Sequence, residues 1–533
     1  MPTNIGQRSG RAAIVATTMA LILCVPTTAY SDDDPLTVDR SDVTRLGYDP
    51  VANKGSLWHI GEVVGAHDSY RAGYTGKGVG VAIIDTGVVE VPGLDTGNLY
   101  HGPDLSFDSQ DPELVHKDAY GHGTHLASII AGRDQPGSPA SYLDQHRFNG
   151  IAPDANLLSV KVGASDGAVD VSQVIAGIDW VVEHRDDKGM NIRVINLSYG
   201  TDSVQSTLID PLSFAVEQAW KSGIVVVVAG GNDGSENFDL ANPARNPYVL
   251  AVGANDTMGT VTPADDIVPS WGTRGTNQRH VDVVAPAVSV LGARVPNGYA
   301  DERNIEARVG ARFARASGTS QAAAVVSGEI ALLLQALPHL TPDQVKAQLM
   351  TTAHPVRSAS VQYRGRGLTD IRAAQLKSPT NRKQPLSFYG DGSGSLEASR
   401  GSSHVYDGVS ELRGEIDIFG NPWDGTAWAE TSADGTAWSG GEWRGVTWSG
   451  DGWDARTWRD VTWSMLDWSA RTWRDSEWSA RTWRDGSWSA ADWRESAWTA
   501  RTWRDSTWTA RTWRESIWPT RTWRSSWLTH HWS

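Results

Sequence analysis

Arg315-Ala316-Ser317-Gly318-Thr319-Ser320-Gln321-Ala322-Ala323-Ala324 runs without a break into the apolar segment 325–337. Small residues surround the Ser320 hydroxyl. Ala, Val, Ile and Leu then follow on every side, which reads as a buried helix. Ser317 or Thr319 fits the N-cap, and either places Ser320 in the first helical turn. There the exposed backbone N–H groups and the positive end of the helix dipole favour negative charge. A serine so placed suits acyl transfer, because the oxyanion of a tetrahedral intermediate forms beside it. Taken alone, the same letters also describe an ordinary helix cap, so the rest of the chain decides.

The chain has 533 residues and a formal charge of -15. That length exceeds one domain. The acidic balance argues against nucleic acid as a partner, because phosphate binding needs a basic surface. The single cysteine, Cys24, lies in an N-terminal segment, 1–31, with the layout of a signal peptide. Arg8 and Arg11 supply the positive region, 12–25 the apolar region, and Thr27-Thr28-Ala29-Tyr30-Ser31 the small-residue cleavage sites. The apolar region is too short to span a bilayer comfortably, so the mature chain is expected to carry no transmembrane segment. The expectation is a secreted protein, with cell-wall association open, that has no cysteine after processing and stands without disulfides.

Residues 32–53 are acidic and polar and read as a short extended segment or propeptide. Across 54–376, β-like apolar runs at 79–84, 157–162, 193–197, 224–229 and 249–252 alternate with helical periodicity. The helical pattern is seen at Val171, Val174, Ile175, Ile178 and Val182, and at Leu208, Leu212, Ala215 and Ala219. That rhythm predicts an α/β fold, a mostly parallel twisted sheet with helices on both faces. Active sites in such sheets gather at the carboxyl ends of the strands. Residues 377–420 read as a Gly/Ser-rich linker. From 421 to 533 comes a repeat array, with Trp423 and Trp428, then Trp every fifth residue from 438 to 523.

Two further sites connect Ser320 to chemistry. Val81-Ala82-Ile83-Ile84-Asp85-Thr86-Gly87 puts an aspartate at the end of a buried strand. Gly121-His122-Gly123-Thr124-His125-Leu126-Ala127 puts a histidine at the start of a small-residue helix. A serine hydroxyl is a poor nucleophile until an adjacent imidazole takes its proton. The imidazole needs a carboxylate on its other nitrogen, which sets its tautomer and stabilises the imidazolium. Asp85, His122, Ser320 is one of the known chain orders for that triad.

With these motifs in order, the stretch from about 55 to 376 resembles the subtilisin-like (subtilase, S8-type) serine peptidases. Asn196-Leu197-Ser198-Tyr199-Gly200 resembles the family's strand that pairs with the substrate backbone. Ala229-Gly230-Gly231-Asn232-Asp233 resembles the segment whose asparagine completes the oxyanion hole. The resemblance implies a subtilisin-like fold and a serine endopeptidase of extracellular proteins. Asp85, His122 and Ser320 would be catalytic, and Asn232 the oxyanion donor with the Ser320 N–H. Ser198, Tyr199, Gly200, Gly230 and Gly231 would bind substrate. Two letters depart from the family: Gln321 where Met is usual, and Ala324 where Pro is usual. The segment between Ser31 and the peptidase domain is short for the folding-assistant prodomain of many relatives.

Other readings of the same letters are weaker. A second Asp-Thr-Gly, Asp95-Thr96-Gly97, lies too near the first to make an aspartic-peptidase pair. Gly163-Ala164-Ser165-Asp166-Gly167 fits a nucleophile elbow, but its polar turn separates strand from helix. It suits the edge of a substrate groove better. His125 reads as a packed helix residue. No His/Cys/Asp cluster has metal-ligand spacing, and catalysis needs no cofactor. The loop with Asp104, Asp108 and Asp111 is a candidate structural calcium site without a recognisable motif.

The tryptophan array has no helical stripe at a step of five, and on one strand its rings fall on alternate faces. It contains 14 Arg against 15 Asp and Glu, so no electrostatic clamp is expected. The array reads as a β-solenoid-like stack of short strands or as a disordered tail in which Trp and Arg stack on each other. Alternatively it binds cell-wall polymer through ring–sugar stacking. In that case the protein acts as a surface-binding molecule whose peptidase domain is a carrier.

Overall fold

The computed structural model describes residues 46–234, 239–380, 384, 389–405, 411–439 and 441–447. The signal-like segment 1–31 and the tryptophans from Trp448 onward lie outside the described residues. Seven strands form one sheet: β1 (Gly80–Asp85), β2 (Leu99–Asp104), β3 (Asn156–Lys161), β4 (Ile192–Leu197), β5 (Val225–Ala229), β6 (Leu250–Asn255) and β7 (Val283–Pro286). Their order is β2-β3-β1-β4-β5-β6-β7, and every neighbouring pair is parallel. Parallel strands need crossovers, and the helices that make them cover the sheet. β1 is buried along its whole length. Its Val-Ala-Ile-Ile run is the continuous apolar pattern such a strand requires. The chain leaves β1 for β3 and β2 on one side and continues with β4 on the other. The crevice of the sheet therefore opens beyond the carboxyl ends of β1 and β4.

Four helices place the rest: α1 (His122–Ala131), α2 (Val171–His184), α3 (Pro211–Lys221) and α4 (Thr319–Ala336). Every residue of α4 from Thr319 to Leu334 is buried, as a helix apolar on all sides must be. α2 opens with a capping box in which Asp170 accepts from Ser172 N and Gln173 Oε1 accepts from Asp170 N. α3 starts at Pro211 because Asp210 caps it at Ser213 N, which leaves Leu208 outside the helix and exposed. A small antiparallel sheet of β8 (Val290–Ala293), β9 (Arg308–Val309) and β10 (Phe313–Ala316) leads directly into α4.

Two strands escaped the pattern reading. β2 is a half-exposed edge strand, Leu-Tyr-His-Gly-Pro-Asp, and β7 is only four residues long. The described part of 32–53 also differs from an extended polar arm. Leu46 is buried, and the Tyr48 ring meets Phe313 edge-on at 5.4 Å.

The larger difference lies in 377–447. The described residues of the Gly/Ser-rich stretch do not behave as a linker. They carry α5 (Leu396–Arg400), and their sparse apolar residues Leu396, Val405, Leu412, Ile418 and Phe419 are all buried. Gly392, Gly394 and Gly401 serve close approach: a Cβ on Gly392 would sit 2.8 Å from the Phe214 ring. Next come α6 (Gly425–Ala433) and three two-residue strands, β11 (Trp438–Ser439), β12 (Glu442–Trp443) and β13 (Val446–Thr447). The first tryptophans of the array are core residues here, with Trp423, Trp428, Trp438 and Trp443 all buried. They close over α2, where Trp438 Nε1 donates to Ala176 O at 2.9 Å. Among the described residues no helix is long and apolar enough to cross a membrane.

Three donors converge on Asp179 of α2: Trp428 Nε1 at 2.9 Å, Trp443 Nε1 at 3.0 Å and Ser432 Oγ at 2.7 Å. Burial outweighs these bonds and pushes the carboxyl up to about 6. The folded chain thus keeps this proton to a higher pH than the unfolded chain. The associated stability is full below about pH 4 and is lost as pH rises through about 6. Relative to the non-titrating Asp179→Asn variant, the wild type should lose about 3 kcal/mol of unfolding free energy between about pH 4 and 7. Urea titrations at both ends check this, and parallel curves for the two proteins would contradict it.

Candidate active site

Asp85 ends β1 at the crevice, and its carboxylate is fully buried. Oδ1 accepts from Thr86 N at 2.8 Å and from His122 Nδ1 at 2.8 Å, with Asp85 Oδ2 3.0 Å from the same nitrogen. Both partners of His122 Nδ1 are carboxylate oxygens, so that nitrogen carries the proton and donates it. His122 is the first residue of α1 and is itself fully buried.

A second aspartate, Asp118, holds this arrangement together. Its carboxylate accepts from Thr86 Oγ1 (2.8 Å), Gly121 N (2.7 Å), Thr124 N (2.8 Å) and Thr124 Oγ1 (2.6 Å). Thr86 Oγ1 in turn accepts from Gly123 N at 3.0 Å. Asp118 thereby ties the turn after β1 to the exposed N–H groups at the start of α1. Burial raises its carboxyl and the four bonds work against that rise. The two elements approach so closely that a Cβ on Gly123 would lie 2.1 Å from Gly87 O. Sequence reasoning did not single out Asp118. Its signal was an acidic residue just ahead of a helix start.

Ser320 is the second residue of α4, and neither residue expected to cap that helix does so. The N-cap is Gly318, with no side-chain bond. Ser317 Oγ instead accepts from Ser289 N at 2.8 Å. Thr319 Oγ1 accepts from Gly231 N at 3.1 Å and donates to Asn232 Oδ1 at 3.0 Å. α1 and α4 start at the same end. Ala316, just before α4, pairs with Val290, while Gly292 of the same strand packs against the His125 ring. Further along, Gly328 lies against Ile151 and the Ile130 carbonyl. The two helices therefore run in the same direction, and both positive ends point toward the crevice.

The Asn232 amide is oriented by Thr319. Thr319 N, an obligatory donor, gives its hydrogen to Asn232 Oδ1 at 2.9 Å. The carbonyl end is fixed on the helix start, and the opposite end is the NH₂ donor. Ser198, Tyr199, Gly200, Gly231, Asn232 and Ser320 line one cleft of about 270 Å³, mouth included. Gly230 is not among its lining residues; its N–H donates to Val252 O at 2.8 Å and belongs to the sheet beneath. The Tyr199 ring is buried and its hydroxyl is pushed well above the ordinary range by burial. Its side chain is thus part of the core. Ser198 Oγ accepts from Asn196 Nδ2 at 3.3 Å, and Asn196 Oδ1 accepts from Ser327 Oγ at 3.0 Å, which fastens β4 to α4.

His125 is fully buried within α1, as a packed helix residue. The acidic loop read as a calcium candidate holds a cation of its own. Lys161 Nζ donates to Asp108 Oδ2 at 2.7 Å and lies 3.8 Å from Asp104 Oδ2, with all three side chains buried. Asp104 is further occupied by Ser106 and His116 N, and Asp111 turns back to Glu113 N. The ammonium neutralises the pair where a metal would have to sit. Among the described residues no group of three or more His, Cys, Asp or Glu side chains is placed to hold a metal ion.

Gln321, beside the serine, is fully buried and its carboxamide makes no hydrogen bond. A polar group so placed destabilises the fold. Gln321→Met, similar in shape and apolar, should raise unfolding free energy by about 1–3 kcal/mol. Chemical denaturation measures this; a loss of stability would show that the amide has a partner that matters.

The subtilase family profile (Peptidase_S8) matches residues 76–393, more than half of the chain. Serine protease AprX of Bacillus subtilis (strain 168) is 38% identical over 281 residues, 52% of this chain and 61% of that protein. Subtilisin DY of Bacillus licheniformis is 32% identical over 304 residues, covering 57% of this chain and 92% of the relative. Subtilisin Savinase of Lederbergia lenta is 32% identical over 317 residues, covering 60% and 97%. With its seven-stranded parallel sheet and the motifs at 85, 122 and 320, the chain belongs to the subtilase family of serine endopeptidases.

Proposed function

We propose that this subtilase is a secreted endopeptidase that cleaves extracellular proteins through an acyl-enzyme on Ser320. The observation that carries the reading is the buried contact of His122 Nδ1 with the Asp85 carboxylate at 2.8 Å. It leaves Nε2 as the basic nitrogen, the one that takes the Ser320 proton. Ser320 attacks the scissile carbonyl, and His122 then returns the proton to the leaving amine. Asp85 stabilises the imidazolium formed between the two events. The Ser320 N–H, at the positive end of α4, and the Asn232 NH₂ receive the oxyanion.

Substrate lies extended between two edges, Ser198-Tyr199-Gly200 after β4 and Gly163 to Gly167 after β3, as an added strand. Gly231 keeps its stretch of the cleft lining free of a side chain. Secretion rests on the N-terminal basic and apolar segments. The alternative, a surface-binding protein whose peptidase domain is a carrier, gains no support from the described tryptophans. Trp423, Trp428, Trp438 and Trp443 are committed to the core, so ring–sugar stacking is confined to the array from Trp448 on.

Mature protein should hydrolyse casein, and Ser320→Ala should abolish that activity. Equal activity in both, or none in either across several substrates and pH values, sinks the assignment. Asn232→Ala should fold normally and lose on the order of 10²–10³ in kcat. An unchanged kcat removes it from the mechanism.

A further inference from the structure

One segment that lies beyond the catalytic motifs is bonded to both edges of the proposed groove. On one edge, Arg400 Nε donates to Asp170 Oδ1 at 2.6 Å, with both side chains fully buried. Asp170 is the N-cap of α2 and directly follows the 163–169 turn. The other guanidinium N–H groups reach Gly414 O at 2.8 Å, Ile416 O, and Glu397 Oε2 at 3.3 Å. On the opposite edge, Thr201 Oγ1 donates to Ser399 O at 2.7 Å, and Ser402 donates its N–H to Asp202 Oδ1 at 2.7 Å and its hydroxyl to Asp202 Oδ2 at 2.5 Å. Gln205 and Ser395 exchange two more bonds, at 2.9 and 3.1 Å. The chain passes Asp202 at glycine distance: Gly401 has φ +63° and a Cβ there would sit 2.2 Å from Asp202 Oδ1. Tyr199, buried beneath the groove, lies within electrostatic reach of Asp170, Arg400 and Asp202.

A strand that inserts between two edges needs them held two inter-strand spacings apart, roughly 9.5 Å. Loops left to themselves would have to be ordered on binding, which weakens affinity. A buried ion pair whose N–H groups are all engaged contributes little net stability but imposes one geometry. We propose that Arg400 is a positioning residue for substrate: with Ser399 and Ser402 it buckles the 163–170 edge to the 198–205 edge and sets the groove for an extended chain. The buckle rests on the peptidase reading above, and acts on substrate length rather than on bond cleavage.

Two substrates separate these effects, an N-acyl tetrapeptide p-nitroanilide that fills the groove and an N-acyl single-residue p-nitrophenyl ester that does not. In the full chain, Arg400→Met should raise KM for the tetrapeptide on the order of tenfold, with kcat within about twofold. KM for the ester should stay unchanged, and Arg400→Lys should restore part of the tetrapeptide affinity. Ser402→Ala, which leaves the buried pair intact, should shift the same ratio in the same direction by about threefold. It decides the matter if Arg400→Met fails to fold. An unaltered tetrapeptide-to-ester KM ratio in the folded variants overturns the buckle alone. Absence of Ser320-dependent turnover on both substrates in the wild type overturns the peptidase reading, and the buckle with it.

Discussion

The contact on which the structure turns is the one between the Asp85 carboxylate and His122 Nδ1. An isolated buried carboxylate is expensive, and here two donors meet it: Thr86 N and the imidazole. The strand that presents Asp85 cannot move, because β1 is central in a sheet buried on both faces. The histidine cannot move either, because Asp118 binds both Thr86 and the first N–H groups of α1. A polar network that is fully satisfied in this way fixes one geometry. It does so where the sheet naturally opens, beyond the carboxyl ends of β1 and β4.

The same logic places the other groups. α1 and α4 run in parallel with both N-termini at the crevice, so two helix dipoles favour negative charge where the serine stands. Thr319 locks Asn232 by taking its carbonyl, which determines the end of the amide that faces outward. Stability is given up next door, where the Gln321 carboxamide is buried without a partner. The C-terminal segment compensates through tryptophan packing over α2 and through the Arg400 pair at the N-cap of that helix.

Much of the peptidase core was legible because its signals are contiguous. Runs such as Val225-Val226-Val227-Val228 admit little but a buried parallel strand, and three short motifs carry Asp85, His122 and Ser320. What stayed hidden depends on partners distant in sequence. Asp118 looks like one more loop acid until Thr86 and Thr124 are seen to converge on it. Lys161 occupies a loop that by composition suited calcium, since a single lysine in a strand says nothing of three loop aspartates. The Gly/Ser-rich stretch was misleading for a different reason: Gly390, Gly392, Gly394 and Gly401 mark tight passage over residues 202–214, not freedom. A tryptophan step of five hid the role of Asp179, a residue more than 240 positions earlier that accepts from two indoles.

The central claim is that Ser320, through His122 and Asp85, is an activated nucleophile. Its most direct test is covalent capture of the folded chain by a fluorophosphonate, followed by mass mapping of the labelled peptide. Labelling should be stoichiometric on the peptide that contains Ser320, and should be abolished by denaturation and in His122→Ala. Labelling of another serine, or none in a folded protein, would contradict it.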